Sequence, residues 1–90
     1  MKDNSEDAKT FGENLRLLRK VHRLSQKDMA KIMGVSIYCV RKAEQGVFPP
    51  SLHADALLAL SHYFHLRPST FFAPTEEWCV DMLLYGEKDL

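Results

Sequence analysis

Histidine, cysteine and serine do much of the chemistry in proteins, and this chain spaces them thinly. Four histidines, His22, His53, His62 and His65, raise the question of a metal. His62 and His65 face one way on a helix. A structural zinc site, however, takes four ligands, and no nearby cysteine or paired carboxylate completes one. The four read as helix-surface histidines, and no metal is expected. Cys39 and Cys79 stand forty positions apart, which is neither a disulfide framework nor a zinc-binding pair. Cys39, read on an exposed helix, invites a redox-sensor reading, although a lone thiol is inert unless its surroundings favour the thiolate. No Ser/His/Asp or Cys/His arrangement sits in a nucleophile context, and the four glycines form no phosphate loop. The expectation is a protein that is not an enzyme and needs no cofactor.

The elements that must position anything else come from a small chain. Ninety residues make one domain, near the lower limit of what folds without staples. Apolar residues are 46% and charged ones 27%, the proportions of a globular protein. The longest apolar run, Ala56 to Leu60, is five residues, against roughly 20 for a membrane span. The opening residues carry no apolar stretch of the secretory kind. A reduced, cytoplasmic protein without a membrane partner is therefore expected. The formal charge is zero, but unevenly placed. Residues 10–73 hold nine basic and four acidic side chains, a net +5. Residues 74–90 hold one lysine and five acids, a net −4, and residues 1–9 a net −1.

Helical periodicity runs from Thr10 onward, and nothing alternates long enough for a strand. Thr10 and Glu13 have capping-box spacing, which predicts a first helix from Thr10 to about Arg23 with Phe11, Leu15, Leu18 and His22 on one face. Ser25 caps a second helix over 26–33, which Gly34 ends. Ser36 caps a third that reaches about Gln45, with Gly46 as its stop. Pro49 and Pro50 force an extended connection. Ser51 opens a fourth helix from Leu52 to about His65, aligning Leu52, Ala56, Leu60 and Phe64. Pro68 suits the first turn of a fifth, ending near Phe72, and Pro74-Thr75 begins a last one. The fold class is all-α.

Residues 26–45 carry the most information. Two short helices joined by a tight turn with glycine make a helix-turn-helix arrangement, and each of its demands is met. Ala30 is small where the helices cross, Gly34 can take a positive φ at the turn, and Met29, Met33, Val35, Val40 and Ala43 are apolar where the core lies. No proline interrupts the stretch.

At these positions the chain resembles the Cro/C1-type helix-turn-helix proteins, which include phage repressors and bacterial xenobiotic-response-element regulators. The resemblance spans residues 10–73: Leu15, Leu18 and Arg19, then Leu24-Ser25-Gln26, Met29-Ala30, Gly34-Val35-Ser36, Glu44 and Gly46, Pro50-Ser51, and Leu57, Leu60, Phe64 and Leu66. It implies a compact five-helix lambda-repressor-like domain over 10–73, behind a polar N-terminal tail over 1–9. That domain would bind duplex DNA as a homodimeric transcription regulator or repressor. Gln26 then grips a backbone phosphate. Ser36, Ile37, Tyr38 and Lys42 read base edges in the major groove, and Cys39 and Arg41 contact the backbone. Arg19 and Glu44 form an internal ion pair. Ile37, Tyr38, Cys39 and Val47 depart from the family's more polar choices. Apolar residues there also suit a protein partner, as in an antitoxin that holds its toxin. Residues 74–90 lie outside the resemblance and read as an additional C-terminal helix, apolar on nearly all sides, with an acidic tail. Such a helix is buried, either folded back on the core or as a dimer interface anchored by Trp78, Met82 and Tyr85.

Overall fold

The computed structural model describes residues 5–73, and within them every regular element is helical. Helix α1 is Ser5–Val21, α2 Gln26–Met33, α3 Ile37–Glu44 and α4 Ala54–Phe64, with a short 3-10 helix over Pro68–Phe72. Helix α1 begins a turn earlier than Thr10. The buried stripe starts at Ala8 and continues through Phe11, Leu15 and Leu18. Glu6 and Asp7 occupy the first turn, where the helix dipole favours acids. Thr10 is therefore an interior residue and not a cap. The helix also ends earlier than expected, because Arg23 takes a left-handed φ of 57° and the Leu24 N–H returns to the Arg19 carbonyl at 2.9 Å. His22 is consequently exposed, its ring 5.0 Å from that of Phe64.

The second half departs further from expectation. The Leu52 N–H closes a turn on the Pro49 carbonyl at 3.0 Å, so α4 starts at Ala54, and Ser51 does not cap it. What was expected as a fifth α-helix is a 3-10 segment, opened by Pro68 after an extended Arg67.

One core joins these elements: Phe11, Leu15 and Leu18 from α1, Met29, Ala30 and Met33 from α2, Val40 and Ala43 from α3, Ala56 and Leu60 from α4, and Phe71. Two contacts fix how α1 sits. Gly12 lies so close to α3 that a Cβ there would collide with the Ala43 carbonyl oxygen. Asn14 is fully buried, and its Nδ2 donates to the Phe71 carbonyl at 2.8 Å and the Ala73 carbonyl at 2.9 Å. Those carbonyls end the 3-10 helix, where backbone acceptors lack helical partners. Asn14 thus ties the chain beyond α4 to α1.

Candidate nucleic-acid interface

Local chemistry sets the α2–α3 unit. Ser25 is extended, and its hydroxyl accepts the Asp28 N–H at 3.0 Å while the Asp28 carboxylate accepts the Ser25 N–H at 3.1 Å. That reciprocal box holds the Asp28 carboxyl below the usual carboxylate range. The Ser25 backbone N–H is the main cause, followed by the Ser25 side chain, with Lys31 and Lys27 adding less. Gly34 ends α2 at φ 71°, ψ 34°, a left-handed conformation that costs a glycine little. Three residues later α3 begins, and the Ser36 hydroxyl accepts the Cys39 N–H at 3.1 Å. Gly46, at φ 87°, follows its end.

Helix α3 turns one stripe inward and another outward. Cys39, Val40 and Ala43 are fully buried. Tyr38 is 63% exposed, Arg41 is exposed and Lys42 half-buried. The Lys42 ammonium lies 5.6 Å from the centre of the Tyr38 ring, the cation–π distance expected one helical turn apart. Beside this face a polar chain crosses three helices. Arg19 of α1 donates to both Glu44 oxygens, from Nε at 2.7 Å and Nη2 at 3.1 Å, and from Nη1 to the Leu24 carbonyl at 3.0 Å. Gln26, the first residue of α2, donates to Glu44 Oε1 at 3.2 Å and accepts from Arg41 Nε at 3.3 Å. The Arg19 and Glu44 side chains are 14% and 6% exposed. An open depression beside the chain is lined by Arg16, Arg19, Gln26, Arg41, Glu44 and Gln45.

Several expected roles meet this geometry unequally. The Arg19–Glu44 pair forms as anticipated. Gln26, Tyr38, Arg41 and Lys42 gather on one side, with Gln26 already bonded to Arg41. Ser36 is exposed and its hydroxyl serves as the helix cap. Two residues do not fit. Cys39 is wholly buried, so it cannot contact a backbone and does not sit on the exposed face of α3. It lies one turn before Ala43, on the same inward stripe, and cysteine is among the residue types most often buried. Ile37 is half-buried against the core, so it presents only part of itself outward. Trp78, Met82 and Tyr85, the expected dimer anchors, lie outside the described residues, as does Cys79. Sequence reasoning missed Gly12, Asn14 and the Gln26 bridge between Glu44 and Arg41. No local spacing announces that bridge, whose members stand fifteen and eighteen residues apart.

Among the described residues, no group of three or more His, Cys, Asp or Glu could hold a metal ion. No helix there is long and apolar enough to cross a membrane. Comparison with protein-family models, with curated proteins and with solved structures finds no match.

Proposed function

We propose that the chain is a non-catalytic, Cro/C1-like helix-turn-helix protein of the cytoplasm that binds duplex DNA by laying α3 in the major groove. The observation that carries this reading is the outward face of α3. Tyr38 and Arg41 stand out, with half-buried Lys42 beside them, from a helix locked into the core by its opposite stripe. Arg41 is tied through Gln26 to the start of the preceding helix. A helix is about 10–12 Å across with its side chains, a fit for a groove about 12 Å wide. On this reading Lys42 and Tyr38 meet base edges, while Gln26 and Arg41 position the backbone. The net +5 of residues 10–73 supplies the attraction to phosphates that underlies all such binding.

A second reading has its own support, since Tyr38 and Val47 are 63% and 48% exposed and suit a protein surface as well as a groove. The function is then that of an interaction module such as an antitoxin. Selection of bound sequences from random duplex DNA separates the two. Enrichment of a defined site supports transcriptional regulation. Failure to enrich any sequence at low salt sets it aside in favour of the protein-binding reading.

A further inference from the structure

The aromatic residues beside the start of α1 form a face that the described chain leaves half covered. Phe72 stacks on Phe11 with ring centres 5.4 Å apart and planes 27° apart. Phe48 meets Phe11 edge-on at 5.8 Å, and the Phe48 and Phe72 rings lie 6.4 Å from one another. Phe11 is buried, but Phe48 is 40% exposed and Phe72 39%. The inner sides of these rings are packed and their outer sides bare, as at sites that receive another apolar surface.

The chain's own continuation fits this face by reach and composition. Ala73, the last described residue, directly follows Phe72, and residues 74–90 come next. Trp78 is six residues beyond Phe72, a tether of at most about 20 Å, ample for a patch whose exposed rings are 6.4 Å apart. The segment carries Val80, Met82, Leu83, Leu84 and Tyr85 as well as Trp78, and a net charge of −4. A short tether also holds the segment at an effective concentration of order millimolar, which favours its own chain over a second copy in dilute solution.

We propose that residues 74–90 fold back on their own chain and seat Trp78 on the face formed by Phe48 and Phe72. This stands independently of DNA binding. Trp78 is the sole tryptophan, so the fluorescence of the full chain reports the contact without a label. The expected result is blue-shifted emission, protected from acrylamide and unchanged on dilution to concentrations where sedimentation shows a monomer. Phe48→Ser should redden the emission and raise acrylamide quenching severalfold while the far-ultraviolet helical signal persists. Should Phe48→Ser fail to fold, Phe72→Ser takes its place with the same expectation. Three results overturn the proposal: wild-type emission typical of exposed tryptophan, protection found only in a dimer, or emission unaltered in the folded variant. Protection found only in a dimer would assign the segment to a second copy of the chain.

Discussion

Helices α2 and α3 start on serines whose hydroxyls accept the N–H three residues on, at 3.0 and 3.1 Å, whereas α4 starts on His53 with no side-chain cap. Their ends differ in the same way. Gly34 and Gly46 take the positive φ values after α2 and α3, while His65 takes φ 57° after α4, where a side chain is disfavoured. The α2–α3 unit is specified residue by residue. The α4 and 3-10 half is held by what it touches, above all Asn14 and the core around Leu60 and Phe71. A fold can thus place one helix pair by local rules and complete its core by tertiary ones.

The largest effect should come from forcing apart the backbones on which the α2–α3 unit rests. Gly12→Ala places a methyl group against the Ala43 carbonyl, and backbone on both sides cannot relax as side chains do. A loss above about 3 kcal/mol is expected, at or beyond the upper end for overpacking. Urea unfolding measures it, and a loss below about 1 kcal/mol would mean that α1 and α3 separate easily. Arg19→Ala should follow at about 3 kcal/mol, because it strands the largely buried Glu44. Arg23→Ala should change little by comparison. Equal, small losses from both would make the Arg19 pair surface decoration.

In the other half, Asn14→Ala should lower stability by about 2 kcal/mol, since two carbonyls lose their donor. Hydrogen exchange should then show faster opening around the 3-10 helix than around α3. Equal opening in both would contradict tertiary control of the second half. The smallest effect is a gain. His53→Ser supplies the missing cap of α4 and should stabilise by about 0.5–1 kcal/mol, seen as a raised thermal midpoint. No gain would show that α4 is insensitive to local rules.

That contrast explains what could be read in advance. Ser25, Gly34, Ser36 and Gly46 act within one or two helical turns, so their roles and the bounds of α2 and α3 were legible from spacing. The Arg19–Glu44 pair, twenty-five residues apart, came only through resemblance to a family. Thr10 and Ser51 looked like caps by the same local rules. Each was overridden, one by an apolar stripe that begins at Ala8, the other by a proline turn that engages Leu52. Gly12 and Asn14 matter because of α3 and the 3-10 helix, which approach them from far along the chain, and no local spacing announces that. Cys39 was misplaced because the backbone-contact position came from the family pattern, whereas here Cys39 shares the inward stripe with Ala43.

The reading of α3 as a base-reading helix is tested most directly by the sequence preference of Lys42→Ala. Affinities of wild type, Lys42→Ala and Gln26→Ala are measured across single-base variants of the duplex site that selection recovers. Removing Lys42 should flatten discrimination at particular base pairs by about 1–3 kcal/mol each. Removing Gln26 should weaken every duplex alike, as loss of a backbone contact does. A Lys42→Ala profile identical in shape to the wild type would contradict the account, leaving α3 with no part in reading sequence.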